Sequence, residues 1–292
     1  MNEVLTASLF GVLTLIFWGS SSWLLSHTSK RTASSIDLNL AVQAISVVIA
    51  VILLLSVGLP IPSTENLIAM FVVSSLFTLG FLSFLKAASK GPTGVVVPVA
   101  KTYPIILLFL SIVLLKQDFN SYQIILILVL VFGVMLTAFE GRKSFQAKRL
   151  DRYIELALLY ALFFGVANFI LNTIVDELSW QILYGYINIF QGVFAILLIA
   201  FTHKKNFKRG FIDSLSNTKG LISGAIVTAG TLSFFIGANI VGSVVIIVTI
   251  ASAEPLVASL LSRIIDKERL TAYKRVGAVM IVSAIVLLNV YS

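Results

Sequence analysis

Two charged residues lie in the middle of apolar stretches of this chain. Lys101 is part of the run Pro98-Val99-Ala100-Lys101-Thr102-Tyr103-Pro104, and Glu254 is part of Ser252-Ala253-Glu254-Pro255. An ammonium group at the centre of a lipid bilayer costs at least about 2.5–3.5 kcal/mol, so it must face protein, water or an anion. Ionisable residues inside a membrane either mark a pathway for a solute or neutralise each other.

Both interpretations of this pair are open. In the first, Lys101 and Glu254 form a structural ion pair, because an unpaired charge inside a membrane is costly. In the second, Lys101 binds an anionic group of a small-molecule substrate, and Glu254 binds a substrate amine or a proton that serves as the coupling ion. The two interpretations are compatible, since a substrate could break the pair. A third possibility is that Glu254 only contributes to packing near the end of its segment.

Proline residues flank both charges. Pro98, Lys101 and Pro104 recur every three residues and therefore lie on one side of a helix. Pro255 follows Glu254 directly. Each proline removes an intrahelical hydrogen bond, and paired interruptions of corresponding helices point to the binding site of a transporter. We therefore expect helix breaks at all three prolines, close to the two charges.

Four further residues are candidates for substrate binding. Trp18 lies deep in its apolar segment and Tyr103 lies beside Pro104, so each either stacks on a substrate or fills the core. Asn168 and Asn172 are four residues apart and share one helical face, where they either line a cavity or bond to another helix. Interhelical hydrogen bonding is the favoured interpretation for a second group of polar residues: Asn39, Gln43, Tyr184, Asn188 and Gln191.

The composition identifies the elements that hold these residues as membrane-spanning helices. Apolar residues make up 58% of the chain, charged residues only 12%, and the mean hydropathy is +1.02; soluble domains have about twice that charge content. A spanning helix needs about 20 mostly apolar residues. Ten segments qualify, which predicts an all-α membrane protein with ten transmembrane helices: 5–25, 36–57, 66–88, 92–115, 119–139, 153–175, 181–202, 216–240, 243–265 and 271–290.

The two halves of the chain carry the same pattern. Gly80-Phe81-Leu82-Ser83-Phe84 recurs as Gly230-Thr231-Leu232-Ser233-Phe234, and Phe17-Trp18-Gly19 matches Phe163-Phe164-Gly165. Five crossings per copy place the second copy upside down in the membrane, and such inverted repeats are common in secondary transporters. The predicted units are residues 1–140, a basic linker at 141–152, and residues 153–292. Gly19 and the serines at 20–22 are interpreted as small residues that allow close helix packing.

Basic residues predict the orientation. Nineteen of the 21 Lys and Arg residues lie in or beside the loops that follow spans 1, 3, 5, 7 and 9, while the opposite side holds only Lys116. Basic loops stay in the cytoplasm. Both termini are therefore predicted to lie outside the cell. The expected location of the protein is the cytoplasmic (inner) membrane of a bacterium, where the lipid bilayer contacts its apolar surface. We expect no nucleic-acid partner, because the chain contains no basic domain.

The closing segment of each half resembles a known family. Gly242, Glu254-Pro255 and the run Asp266-Lys267-Glu268-Arg269-Leu270-Thr271 are similar to the EamA-type branch of the drug/metabolite transporter superfamily, and Tyr103-Pro104 with Lys116-Gln117-Asp118-Phe119 is a degraded version. The resemblance covers nearly the whole chain. It implies a ten-helix carrier with a central cavity lined largely by spans 1, 3, 4, 6, 8 and 9, which moves small metabolites, amino acids, sugars or drugs. Because Lys101 favours a carboxylate or phosphate and the inverted repeat favours alternating access, we expect a transporter of a small organic metabolite such as an amino acid or organic anion. Export is the favoured direction. Many relatives are thought to keep their termini in the cytoplasm, which is the opposite of the orientation predicted here.

Other function classes fit less well. The chain has no cysteine, no GxxxxGK[ST] nucleotide-binding motif, no HExxH and no GxSxG, so we expect neither a cofactor, a metal site nor enzymatic activity. His27 and His203 both lie near segment ends. A channel or sensor is the alternative to a transporter, although an inverted repeat favours alternating access around a fixed site.

Overall fold

The computed structural model describes residues 3–30, 34–91, 93–116, 120–138, 152–204, 206–265, 267 and 271–291 of the 292-residue chain. Its regular structure in these ranges consists of thirteen helices. They are α1 (Glu3–Ser29), α2 (Ser35–Ser56), α3 (Thr64–Lys90), α4 (Thr93–Ala100), α5 (Tyr103–Val113), α6 (Ser121–Ala138), α7 (Arg152–Ile174), α8 (Trp180–Thr202), α9 (Phe207–Leu215), α10 (Thr218–Val241), α11 (Val244–Ala251), α12 (Glu254–Ile265) and α13 (Ala272–Tyr291).

These helices account for the ten predicted spans. Eight segments of the described chain are long and apolar enough to cross a membrane, and two shorter apolar helices, α6 and α13, supply the fifth span of each half. The predicted all-α membrane fold is therefore confirmed. The linker predicted at 141–152 lies outside the described residues except for Arg152.

Spans 4 and 9 are each interrupted near the middle. Span 4 consists of α4 and α5, which are separated at Lys101 and Thr102, and span 9 consists of α11 and α12, which are separated at Ser252 and Ala253. Pro104 lies in the first turn of α5, and Pro255 lies in the first turn of α12. A proline lacks an amide donor, so it fits the first turn of a new helix better than the interior of a long one. Pro98 lies inside α4, so the helix break expected at this proline is wrong; the break lies one turn later, at Lys101 and Thr102.

The two halves pack around a pseudo-twofold axis. The C-terminal half repeats the order of the N-terminal half, so α1 corresponds to α7, α2 to α8, α3 to α10 and α6 to α13. The contacts follow this relation: α1 packs on α10 as α7 packs on α3, while α2 packs on α8 and α6 on α13 across the axis. The main apolar core includes residues from both halves, which makes the bundle one unit.

The duplicated glycines explain why the sequence repeats. A Cβ atom on Gly80 would lie 2.7 Å from the Phe164 ring, and a Cβ on Gly230 would lie 2.5 Å from the Trp18 ring. These are equivalent contacts, because Trp18 and Phe164 occupy matching positions in the two halves. Each glycine therefore allows an aromatic side chain of the other half to approach the backbone, as small residues do at membrane helix interfaces.

A second pair of glycines lies at the helix breaks. A Cβ on Gly19 would be 2.9 Å from the carbonyl oxygen of Glu254, and a Cβ on Gly165 would be 3.1 Å from that of Tyr103. The first helix of each half thus runs directly against the break in the other half. This close approach brings side chains of α1 and α7 to the two mid-membrane charges.

Candidate functional site

A cavity of about 110 Å³ lies between the two halves, near the middle of the spans. One water molecule needs far less space than this. The cavity is lined by side chains of α1, α2, α3, α7, α8 and α10, together with Lys101 and Glu254 from the two helix breaks. It therefore lies where the pseudo-twofold axis and both interruptions coincide.

Lys101 and Glu254 form an ion pair in the wall of this cavity. The Lys101 Nζ atom lies 2.9 Å from Glu254 Oε1, and the two side chains are only 6% and 1% exposed. Burial removes the screening that weakens ion pairs in water, but it also makes the loss of either partner costly. The structure thus brings together the two charges that the sequence singled out, one from each half.

The helix breaks favour both charges electrostatically. Lys101 follows the last residue of α4, and Glu254 is the first residue of α12. The C-terminal end of a helix carries a partial negative charge, which stabilises an ammonium group, while the N-terminal end carries a partial positive charge, which stabilises a carboxylate. Interrupted helices in transporters use their ends in this way to bind substrate groups and ions.

Two neutral hydroxyl groups complete the coordination of the pair. Lys101 Nζ donates a hydrogen bond to the Tyr160 hydroxyl at 2.8 Å, and Ser22 Oγ donates to Glu254 Oε2 at 2.6 Å. An ammonium group has three N–H donors. Within the described residues, Lys101 Nζ donates one hydrogen bond, to Tyr160, and lies at ion-pair distance from Glu254 Oε1, which accepts no hydrogen bond. The ammonium group therefore keeps N–H donors that a ligand can take.

Tyr160 and Ser22 are functional candidates that the sequence alone does not indicate. The neighbouring small residues indicate a packing role for Ser22, and Tyr160 resembles any other aromatic residue in an apolar span. The repeat does indicate a role for Ser22. At the offset that relates Phe17-Trp18-Gly19 to Phe163-Phe164-Gly165, Ser22 corresponds to Asn168, which is itself a candidate for substrate binding. Tyr160 corresponds to Thr14, which gives no such signal.

Aromatic rings form the apolar walls of the cavity. Trp18 stacks on Phe234 with a centroid distance of 5.5 Å, and Tyr160 stacks on Phe164 at 4.0 Å. The Lys101 ammonium also lies 4.8 Å from the centre of the Tyr160 ring, within the range of a cation–π interaction. The site therefore combines a charged end with flat apolar surfaces.

Amide side chains line the cavity as well. Gln43 Nε2 of α2 donates to Gln191 Oε1 of α8 at 2.8 Å, which joins the halves by the interhelical hydrogen bond that the sequence favoured for these residues. Asn168 and Asn188 also line the cavity. Their side-chain amides donate to the carbonyl oxygens of Phe164 and Tyr184 in the preceding turns, at 2.8 Å and 2.9 Å.

Two of the candidate binding residues lie outside the lining of the cavity. Tyr103 is 1% exposed and packs against Tyr160 and Phe164, with no hydrogen-bond partner for its hydroxyl among the described residues. Asn172 Oδ1 accepts a hydrogen bond of 2.8 Å from the Val244 amide at the start of α11. The cavity-lining candidates are thus Lys101, Glu254, Trp18 and Asn168.

A ten-span inverted repeat with a cavity at its axis is typical of membrane transport proteins. The chain belongs to the EamA-like transporter family, whose model matches residues 5–139 and again residues 152–290. The resemblance recognised in the sequence is therefore confirmed, and with it the drug/metabolite transporter superfamily.

Two relatives and a solved structure are similar to this chain. An uncharacterized transporter of Archaeoglobus fulgidus is 26% identical over 223 residues, which are 74% of this chain and 74% of the relative. An uncharacterized protein of Methanocaldococcus jannaschii is 29% identical over 144 residues, which are 48% of this chain and 98% of that protein. That relative therefore has about the length of one repeat. A crystal structure with 12% identity shares the fold, with a TM-score of 0.71 over 98% of this chain and 99% of the other.

Proposed function

We propose that this chain is a secondary transporter that exports a small organic metabolite, such as an amino acid or an organic anion, by alternating access around the central cavity. The observation that carries this proposal is the Lys101–Glu254 ion pair, which lies in the cavity wall and takes one residue from each inverted half. A solute that binds there contacts both halves, so its binding energy can bias how they rock against each other.

The chemistry of the site favours a solute with at least one charged group. A carboxylate or phosphate can take a free N–H donor of Lys101, whose ammonium also lies 5.9 Å from the centre of the Tyr103 ring. An ammonium group of the solute can approach Glu254. A zwitterionic amino acid satisfies both charges and leaves its side chain against the aromatic walls.

Competition within the pair gives a means of coupling. Solute that draws Lys101 away leaves Glu254 with Ser22 as its remaining described partner. A buried carboxylate without its counter-ion is costly, so it takes up a proton or a substrate amine instead. A proton gradient can therefore drive the cycle, with Glu254 as the proton-carrying group.

One end of the bundle is closed by a set of hydrogen bonds. Asn66 Nδ2 of α3 donates to Glu177 Oε2 at 3.1 Å, and the Tyr186 hydroxyl of α8 donates to the carbonyl oxygen of Pro60 at 3.1 Å, so each bond joins the two halves. At this end α11 packs against α5. The two-fold related pair is α4 with α12, and within the described residues these helices show no packing of similar extent. Alternating access requires the first set of contacts to open as the second set forms.

The orientation completes the proposal. The basic loops face the cytoplasm and both termini lie outside, in a bacterial cytoplasmic membrane. The closed end, which contains the loops 57–63 and 175–179, then faces outward, and the alternate state that opens this end releases the solute outside.

The test uses purified protein and a defined set of probes. Thermal unfolding is measured with the proteinogenic L-amino acids, dicarboxylic acids, sugars and nucleosides, because a ligand that binds only the native state raises the unfolding temperature. A stabilising compound is then tested for counterflow in liposomes. A transporter accumulates labelled compound against excess unlabelled compound, whereas a channel only equilibrates it, and equilibration alone would refute the proposal.

A further inference from the structure

The short helix α9 lies at the membrane surface. It connects α8, which ends at Thr202, to α10, which begins at Thr218. The 23 residues of α8 span about 34 Å at 1.5 Å per residue, which exceeds the hydrocarbon thickness of about 30 Å. Both neighbouring helix ends therefore reach the headgroup region, and α9 lies between them at the same depth.

One side of α9 is anchored to the bundle. Gly210 and Ser214 are buried, and Phe211 and Leu215 pack against an apolar cluster formed by α2 and α8. A Cβ on Gly210 would lie 2.6 Å from the ring of His203, so this glycine allows the helix to rest directly on the end of α8. The anchored side fixes which residues of α9 point away from the protein.

The outer side of α9 carries both apolar and basic residues. Ile212 is 50% exposed and Phe207 is 39% exposed, and Lys208 and Arg209 are also exposed, as is Lys204 just before the helix. A helix with this mixture lies in the interface of a bilayer, where the apolar side chains enter the acyl region and the basic groups meet phosphates.

Basic residues outnumber acidic residues on the exposed surface of α9 and the residues just before it. Arg209 and Asp213 form a loose, solvent-exposed pair at 3.7 Å. Lys204 and Lys208 form no ion pair within the described part of the chain, and residue 205 of the sequence is a further lysine. The surface therefore carries a net positive charge that no described residue of the protein neutralises.

The repeat gives a second, independent observation. The equivalent connection of the first half runs from Val57 to Ser63, and it has no helix and no basic residue. Because the first half forms the same bundle without it, α9 is not a requirement of the fold. It is an addition to one half only, on the side of the membrane that carries the basic loops.

We propose that α9 forms a binding site for the headgroup of an anionic phospholipid, with Lys204, Lys208 and Arg209 around the phosphate and Phe207 and Ile212 among the acyl chains. Each basic residue close to an anionic membrane surface strengthens binding about fivefold. The site is independent of the solute cavity, so its test does not depend on the proposed transport activity.

A bound lipid at α9 would act on helices that line the cavity. The helix packs on α2 and α8, which are joined by the His203–Asp37 contact of 3.0 Å at this surface and by the Gln43–Gln191 hydrogen bond within the cavity. The lipid therefore holds a pair of helices that includes one member from each half.

The test uses the absence of cysteine from the chain. A bimane fluorophore is attached to Ile212→Cys, and the protein is reconstituted in nanodiscs of phosphatidylcholine that contain a small fraction of either brominated phosphatidylglycerol or brominated phosphatidylcholine. Bromine quenches the fluorophore only at close range. We expect brominated phosphatidylglycerol to quench the fluorophore at a mole fraction at least about tenfold lower than brominated phosphatidylcholine needs, because three basic residues contribute to binding.

Three variants of the labelled protein decide the outcome. K204Q/K208Q/R209Q is expected to abolish the preference, whereas K204R/K208R, which keeps the charges, is expected to retain it. The matched control K86Q/K90Q/R275Q removes three exposed basic residues outside α9 and is expected to leave the preference intact. Equal quenching by the two lipids in the labelled parent, or a preference that survives the α9 triple substitution, would overturn the proposal.

Discussion

Lys101 and Glu254 meet across the axis that relates the two halves of this protein, with Nζ 2.9 Å from Oε1 and both side chains buried. Their positions are not equivalent: in the repeat, Lys101 corresponds to Ser252 and Glu254 to Tyr103. The duplicated bundle has therefore acquired one cation in one half and one anion in the other. The central site is therefore asymmetric, with its positive charge on the first half and its negative charge on the second, although the surrounding helices are related by pseudo-twofold symmetry.

The pair predicts a strong energetic coupling. Lys101→Met or Glu254→Gln alone is expected to lower the free energy of unfolding by about 3–5 kcal/mol, because each leaves an uncompensated buried charge or donor. The double variant Lys101→Met/Glu254→Gln is expected to lose much less than the sum of the two. Denaturant unfolding in detergent measures the four proteins of this cycle, and additive losses would show that the residues do not interact.

Substitution of Ser22 is expected to lower the free energy of unfolding by a smaller amount, which depends on the charge of Glu254. Ser22→Ala removes a 2.6 Å hydrogen bond to the carboxylate, which is worth about 1.5–3 kcal/mol. The matched control is Ser26→Ala, one turn along α1, since that hydroxyl donates only to the carbonyl oxygen of residue 22 and its removal is expected to change stability by less than about 0.5 kcal/mol.

The same unfolding experiment tests whether the effect of Ser22 depends on the charge of Glu254. In the Glu254→Gln background, the effect of Ser22→Ala is expected to shrink, because the acceptor is no longer charged. An undiminished effect in that background would mean that Ser22 stabilises α1 by packing alone, as the sequence suggested.

Gly230 predicts a local change around Trp18. In Gly230→Ala the new methyl group would lie 2.5 Å from Trp18 Cδ1, so the indole ring must move, at a cost of about 1–3 kcal/mol. The fluorescence of Trp18 is measured in a Trp23→Phe/Trp180→Phe background. Gly80→Ala is the symmetry-related control: it is expected to destabilise similarly through Phe164 but to leave the Trp18 emission unchanged. An unaltered spectrum of Gly230→Ala would contradict the contact.

The predicted orientation is tested by labelling in intact cells. Ile61→Cys places a thiol in the loop opposite the basic residues, where Ile61 is 84% exposed, and Lys208→Cys places one on α9. A membrane-impermeant maleimide added from outside is expected to label position 61 only. Labelling at position 208 and protection at 61 would place the termini in the cytoplasm.

The sequence was most informative where a residue was chemically unusual for its surroundings. A lysine and a glutamate are rare inside apolar segments, so Lys101 and Glu254 were evident, and the repeat predicted the inverted bundle. Tyr160 was not evident, because nothing in an apolar span distinguishes a tyrosine that binds an ammonium from one that packs. The position of Tyr103 beside Pro104 makes it a candidate for substrate binding, but the direction of its ring depends on how α4 and α5 separate, which the local sequence does not determine.

Helix ends and short helices were predicted less well than spans. The predicted span 216–240 appears as α10 (Thr218–Val241), and α9 was not recognised as a separate helix. Its nine residues form only two and a half turns, too few for a clear periodic pattern, and its packing on α2 and α8 supplies the stability that the local sequence lacks.

Counterflow in liposomes tests the central claim most directly. Three proteins are reconstituted with the compound that most raises the unfolding temperature of the parent: the parent itself, Lys101→Ala and Glu254→Gln. The control is Lys116→Gln, which removes an exposed lysine just after the end of span 4. We expect accumulation of labelled compound by the parent and by Lys116→Gln, and its loss in both variants of the central pair. Undiminished counterflow by Lys101→Ala and Glu254→Gln, at equal amounts of folded protein, would contradict the account.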